Sequence, residues 1–288
     1  MSQRLAVLQS ALSPSRPLKL ADVGANPLGD APYKPLLEAG LCEVVGFEPN
    51  PEAFAKLEAQ KGPAETYFET AVGSGARREL HLHKRSGFGS LFPLDGSALP
   101  QIGKEFWLKG ALGTIAVDPQ PLDRIEGMPK IDVLKMDLQG GELDVIEGGT
   151  KTLSDTIVIV TEARFHRIYE GEPMFGDLDV AMRQAGFKLY KFLFTKSVMM
   201  PHAAEADIIR GRMTSQLLDG DAVYLRDGQL DEVLSDDQLA WLAFLADTML
   251  EAPDLCLFAL TALQSRGTIG QEAIADYVTA LPRRMKEK

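Results

Sequence analysis

LADVGANPLGDAPYKPLLEAGLCEVVGFEPN, residues 20–50, decides the architecture of this chain. An apolar run ends in Asp22-Val23-Gly24, and a turn rich in glycine and proline follows. PYKPLLEAG then has helical composition, and a second apolar run, CEVVGF, closes on Glu48. Strand, turn, helix and strand in that order make a βαβ unit, whose two strands lie parallel because only a long crossover can join parallel neighbours. The rhythm continues outward. PEAFAKLEAQ (51–60) is helical in pattern, and ETYFETAVG (65–73), IDVLKMDLQG (131–140) and TIVIVTEA (156–163) read as further strands. Between the last two, GELDVIEGGTKTL (141–153) repeats Leu143, Ile146 and Leu153 at roughly helical spacing, predicting a short crossover helix that stops near Gly148 and Gly149. GDLDVAMRQAGF (176–187) predicts a helix ending at Gly186. KLYKFLF (188–194) and DAVYLRD (221–227) predict two strands pairing antiparallel at the sheet edge, across a long connection, residues 195–220.

Two regions depart from this rhythm. Residues 74–130 hold an alternating strand, RRELHLHKR (77–85), and a Gly/Ser-rich loop, SGFGSLFPLDGS (86–97), expected as an inserted ribbon and loop. From Ser235, SDDQLAWLAFLADTMLEA, PDLCLFALTALQS and QEAIADYVTALP predict three helices, the first capped by Ser235 ahead of two acidic residues. The expected division is a sheet domain over residues 1–228 and a helical C-terminal extension over 229–288, which packs on the sheet domain or forms a homodimer interface.

Composition limits the function classes. The 288 residues are 45% hydrophobic and 25% charged, enough to bury a large core, and the net charge is −11. Such an acidic chain lacks the clustered Lys and Arg that displace counterions from nucleic acid, so no nucleic-acid partner is expected. No segment has the length needed to span a bilayer, and the N-terminal apolar stretch is too short and interrupted for a signal peptide, so a cytoplasmic protein with no membrane partner is expected. The two cysteines, Cys42 and Cys256, lie in separate apolar stretches and are expected as reduced packing residues.

The glycine loop brings backbone close to a ligand at the carboxyl edge of a parallel sheet, and Glu48, ending the next strand, can accept hydrogen bonds from both hydroxyls of a ribose. Together they imply an adenosine-containing ligand. NAD and S-adenosylmethionine both satisfy this pair of features. A dinucleotide needs free N–H groups for its pyrophosphate, whereas Pro27, Pro32 and Pro35 have none, and GANPLG lacks the GxGxxG spacing. The loop therefore suits S-adenosylmethionine better than NAD.

DVGANPLG, GFEPNPEAF, IDVLKMDLQGGELDVIEGG, RIYEGEPMF and DAVYLRD, in this order, resemble the FkbM-type methyltransferases, a branch of the class I S-adenosylmethionine-dependent enzymes. The resemblance covers roughly residues 18–227 and is most specific in KMDLQGGE. It implies a Rossmann-like α/β fold: a mostly parallel seven-stranded sheet with helices on both faces, here followed by a helical C-terminal appendage. It implies O-methylation of a hydroxyl on a saccharide or secondary metabolite. Two departures stand out: the first loop is one residue longer than the usual DVGANxG, which affects Gly29, and Gln139 stands where the family often has Glu. Carried over by position, Gly24, Ala25 and Asn26 would line the methionine half of the cofactor, Glu48 the ribose, and Thr70 and Ala71 the adenine, with Asp22 a further cofactor-binding residue. Asp137 would face the reacting methyl group.

Beyond the cofactor, Lys135 and Asp137 alternate onto one strand face, with Gln139 and Glu142 just after, and Glu162 ends the next strand ahead of Arg164, His166 and Tyr169. An alcohol keeps its proton at neutral pH, so a positioned base would help remove it. His166, steered by Glu162, is the expected base, and Asp137 is expected to orient the cofactor amine or the acceptor. A divalent ion held by Asp137 and Glu162 is the competing mechanism, but no third ligand is evident and no metal is assigned. His81 and His83 share a strand face expected to be solvated, Ser86 and Ser90 fall in a loop over the site, and His202, Arg210 and Arg212 could read an acceptor. The rival functions are an NAD-linked oxidoreductase and a non-catalytic adenosine-ligand-binding or scaffold protein.

Overall fold

The computed structural model describes residues 2–26, 31–204 and 208–286. After an N-terminal helix, α1 (Gln3–Ala11), the parallel strands β1 (Leu18–Val23) and β2 (Cys42–Phe47) flank a short helix, α2 (Lys34–Glu38). Helix α3 (Pro51–Gln60) leads to β3 (Glu65–Phe68), and its start is fixed by Asn50, whose side chain accepts the Glu52 N–H at 3.0 Å, and by Pro51 in the first turn. A two-stranded antiparallel ribbon, β4 (Arg78–His83) and β5 (Ala111–Val117), stands apart from the main sheet. The chain then resumes with β6 (Val133–Met136), α4 (Glu142–Glu147), β7 (Val158–Arg164), α5 (Phe175–Gln184), β8 (Phe187–Val198) and β9 (Gln216–Arg226). The seven-stranded sheet runs β3-β2-β1-β6-β7-β9-β8, with β9 antiparallel to both neighbours and the other pairs parallel. The number of strands, their mostly parallel direction and the antiparallel pairing at the edge match the expectation for this fold.

Alternation along the strands separates two cores, as a two-residue side-chain period requires. Leu18, Leu20, Val133, Val158, Val160 and Val223 pack with the C-terminal helices on one face. Ala21, Val23, Leu134, Met136 and Ile159 pack with Val145 and Ile146 of α4 and Leu178 and Met182 of α5 on the other. The tail forms α6 (Leu230–Val233), α7 (Asp236–Thr248), α8 (Pro253–Ser265) and α9 (Gln271–Ala280). Ser235 caps α7 reciprocally: its hydroxyl accepts the Gln238 N–H at 3.2 Å, and Gln238 accepts the Ser235 N–H at 3.0 Å. Every residue of α7 from Leu239 to Asp247 is buried, the pattern of a helix enclosed between layers. Buried Asp247 pairs with Arg4 of α1 at 2.5 Å and accepts the Tyr277 hydroxyl of α9 at 2.7 Å, tying the N-terminus into the tail.

The structure adds elements that the sequence pattern did not announce, α1 and the second ribbon strand β5, and it shortens the long connection, because β8 runs on to Val198 and β9 starts at Gln216. A third, smaller core at the carboxyl edge joins Leu99, Ile102 and Trp107 of the insertion to Ile168 and Tyr169 after β7 and to Val198 and Leu218 of the edge hairpin. Both cysteines are buried and free. Among the described residues no helix is long and apolar enough to cross a membrane.

Candidate active site

Register brings the candidate residues to one level. Val23 lies opposite Phe47 on β2 and Met136 on β6, and Met136 lies opposite Thr161 on β7. The next residues, Gly24, Glu48, Asp137 and Glu162, therefore form a row across the carboxyl edge, where open α/β sheets bind ligands. The row is stitched by backbone: Gly24 N–H donates to Phe47 O at 3.0 Å, and Asp137 N–H to Val23 O at 3.0 Å. Gly24 has φ +82°, and a Cβ there would sit 2.1 Å from the Asp137 carbonyl oxygen. Only glycine allows the first loop to cross the end of β6 so closely.

An open cleft follows this row in two arms. The first, about 770 Å³, is lined by Gly24, Asn26, Glu48, Pro49, Asn50 and Ala53, by Ala71 and Val72 after β3, by Leu80 and Leu82 of the ribbon, by Gly89, Ser90 and Leu91, and by Asp137 to Gln139. The second, about 1510 Å³, shares Gly24, Asn26 and Asp137 and extends past Ala25, Asp22, Tyr33, Tyr67, Lys135 and Asp221. Pro27 and Gly29 lie outside the described residues, as do the side chains of Ser86 and Arg210.

Charges in the cleft have identifiable partners. Glu48 is 7% exposed; burial pushes its carboxyl up to about 7, against the Asn50 N–H that donates to Oε1 at 2.8 Å and with a further push from Asp22. Buried Asp22 accepts Lys135 Nζ at 2.8 Å and the Tyr33 hydroxyl at 2.7 Å. Burial works against the Lys135 charge, but Asp22 and Asp137 outweigh it and raise the ammonium above its ordinary value. Asp221 of β9, which opens the DAVYLRD stretch but is not among the expected site residues, enters the second arm with its carboxyl raised to about 6 by burial and by Asp137. Asn26 contributes a buried Oδ1 with no hydrogen-bond partner among the described residues, an acceptor awaiting a donor.

Around Asp137 the polar groups form a network. Gln139, at φ +55°, donates its amide to Asp137 Oδ1 at 2.7 Å and to Glu162 Oε2 at 2.9 Å, and accepts the Tyr169 hydroxyl at 3.0 Å and Arg164 Nη2 at 3.3 Å. Arg164, nearly enclosed, also reaches Glu162 at 2.6 Å and Glu172 and Asp219 at 3.2 Å each. Burial and the neighbouring Asp137 and Glu142 hold the Glu162 carboxyl well above the usual range despite Arg164. Glu142 accepts the N–H groups of Leu138 at 2.8 Å and Gly140 at 2.9 Å, so it braces the loop after β6; burial pushes it up to about 7.

Not every expected residue converges. Ala71 lines the first arm, while Thr70 lines neither. The structure does not bring His166 to Glu162: Arg164, two residues away, takes that carboxylate, and His166 Nε2 lies 3.4 Å from the Ala98 carbonyl oxygen, off the cleft lining. His83 is not on a solvated face; its Nε2 lies 2.9 Å from Trp107 O and its ring packs on Phe88. His81 lines a separate aromatic recess with Phe88, Phe92 and Tyr169. Ser90 does close over the site, donating its hydroxyl to Gln139 O at 2.6 Å. His202 and Arg212 stand exposed on the edge hairpin.

A seven-stranded sheet of this order, with a glycine loop after β1 and an acidic residue after β2, has the architecture of the class I S-adenosylmethionine-dependent methyltransferases. The methyltransferase FkbM domain matches residues 22–189, and the chain belongs to that family. A 2-O-methyltransferase, NoeI, of Sinorhizobium fredii is 32% identical over 171 residues, spanning 56% of this chain and 70% of the relative. Similar solved structures include magnesium protoporphyrin IX methyltransferase from Synechocystis PCC 6803 with bound SAM (TM-score 0.39, 11% identity, 73% of this chain and 71% of that one). Another is precorrin-6y C5,15-methyltransferase from Geobacter metallireducens GS-15 (TM-score 0.37, 14% identity, 77% and 85%).

Proposed function

We propose that the protein O-methylates a hydroxyl of a saccharide or related secondary metabolite, with the cofactor's nucleoside in the first arm of the cleft and its methionine half where the two arms meet. The observation that carries the placement is the row Glu48, Gly24, Asp137: a buried carboxylate, a bare backbone turn and a second carboxylate at one level of the sheet edge. Glu48 would hold the ribose hydroxyls, and Ala71 and Val72 would flank the adenine. Gly24, Ala25, Asn26 and Asp22 would surround the methionine half, where the unpartnered Asn26 Oδ1 fits the cofactor's amine. S-adenosylmethionine supplies an electrophilic methyl group on a sulfonium when bound. The chain's own part is to hold an acceptor oxygen in line at the Asp137 edge and to take up its proton.

Transfer to oxygen is supported by the 2-O-methyltransferase relative. The catalytic unit is read as residues 1–228 and the helices of 229–288 as its cover on one face. With most of α7 buried, pairing of two copies through the C-terminal helices would use what remains exposed there, Phe258 of α8 and Val278 of α9 among them. The test is transfer of a labelled methyl group from S-adenosylmethionine to a panel of methyl glycosides. Product retaining the label as a methyl ether supports the proposal; label on nitrogen or carbon acceptors only would overturn it.

A further inference from the structure

We infer that Gln139 is a positioning residue whose carboxamide occupies the place between the Asp137 and Glu162 carboxylates that a cation would otherwise take, fixing Asp137 at the edge of the cleft. The consequence for cofactor affinity rests on the cofactor placement proposed above.

Asp137, Glu142 and Glu162 each bring a carboxylate oxygen within 4.8 Å of the other two. Like charges at that spacing, partly out of water, repel strongly and need a proton, a cation or hydrogen-bond donors between them. Here the donors are supplied by protein. Both Glu142 oxygens are taken by the Leu138 and Gly140 N–H groups, and the two hydrogens of the Gln139 amide go one each to Asp137 and Glu162. The orientation of the amide is set by Arg164, which can only donate and meets its oxygen, with the Tyr169 hydroxyl on the same side. Its backbone is held in the left-handed region, unfavourable for a side chain with a Cβ, and the Ser90 hydroxyl fastens its carbonyl at 2.6 Å. Three segments thus pin one amide. Asp137 Oδ1 is fixed by it, and Oδ2 has no donor among the described residues and is left for the cleft.

If the amide replaces a cation, a carboxylate at this position should demand one. Gln139→Glu removes both donors and adds a fourth carboxylate, whereas Gln139→Met removes the donors without adding a ligand. Melting temperature and S-adenosylhomocysteine affinity are measured at pH 7.5 with and without 5 mM (about 100 times a moderate dissociation constant) Mn²⁺ or Ca²⁺. Wild type is expected to be indifferent to either ion in both readouts. Gln139→Glu is expected to bind S-adenosylhomocysteine about tenfold more weakly without ion, to recover with ion, and to gain about 3 °C or more in melting temperature. Gln139→Met is expected to bind weakly in both conditions. If Gln139→Glu folds only when the ion is present, that too supports the inference. Stabilisation of wild type by either ion, indifference of Gln139→Glu, or wild-type affinity in Gln139→Met overturns it. Absence of S-adenosylhomocysteine binding by wild type strikes the cofactor placement instead, and leaves the ion responses as the test of Gln139.

Discussion

Replacing Glu48 by Gln keeps its shape and removes its charge. The carboxylate is 7% exposed and has one donor among the described residues, the Asn50 N–H at 2.8 Å on Oε1, which leaves Oε2 for a ribose. Losing charge-assisted hydrogen bonds of this kind costs about 1.5–3 kcal/mol, a roughly 10- to 150-fold weaker dissociation constant. The direction of pH dependence follows from burial, which raises this carboxyl to about 7 in the ligand-free protein. A raised folded-state pKa means that the group's stabilising contribution is complete below its unfolded value near 4.3 and is lost as pH climbs through about 7. A ligand that donates to the ionised form recovers that loss, so affinity rises with pH. With only the ionised form binding, the competent fraction goes from about one tenth at pH 6 to about nine tenths at pH 8, a nearly tenfold gain. Calorimetric titration with S-adenosylhomocysteine across this range measures it, with Glu48→Gln giving a flatter curve at lower affinity. Unchanged affinity in a folded Glu48→Gln protein, or identical pH profiles for the two proteins, would refute the ribose placement.

Gly24→Ala should fail to fold or lose about 4 kcal/mol or more in denaturant titration, since its Cβ would meet the Asp137 carbonyl at 2.1 Å in a left-handed backbone; a loss below about 1 kcal/mol would show that the crossing is loose. Arg164→Met strands Glu162, Glu172 and Asp219 and should cost about 3–5 kcal/mol at pH 7.5. That deficit should shrink as pH falls and Glu162 and Glu172, both held above the usual carboxylate range by burial, protonate; a deficit independent of pH speaks against the network. His166→Ala should leave turnover within about threefold of wild type, where a general base would lose about 10²–10⁴-fold. Truncation after Gly228 should give an aggregating or markedly less stable protein, because it uncovers Leu18, Leu20, Val160 and Val223; a monodisperse product of unchanged melting temperature would contradict the packing.

Much of the fold is legible because it is local. The parallel α/β class follows from the βαβ rhythm, and Glu48 and Gly24 are readable because each closes an apolar run. What escapes the sequence is set by contacts far apart along the chain. Helix α1 carries no dense apolar stripe, yet Leu5 and Leu8 are buried against the tail. Strand β5 is mostly exposed and lacks an apolar alternation, so only its pairing with β4 reveals it. His166 is the expected base from the sequence because it falls just past the strand that Glu162 ends, one strand over from Asp137. Which side chain reaches that carboxylate depends on reach and charge, and Arg164, permanently cationic, reaches it from the same strand. Gln139 read as a departure from a family pattern, and only the positions of Asp137, Glu162, Arg164 and Tyr169 around it show a hub.

The central claim is that the cofactor lies along Glu48, Gly24 and Asp137, and a crystal structure of the S-adenosylhomocysteine complex tests it most directly. The predicted result is a Glu48 carboxylate accepting both ribose hydroxyls, adenine beside Ala71 and Val72, and the amino-acid end at Asn26 and Asp137. Adenosine seated instead between Tyr33 and Tyr67 in the second arm, with Glu48 still bonded only to Asn50, would contradict it.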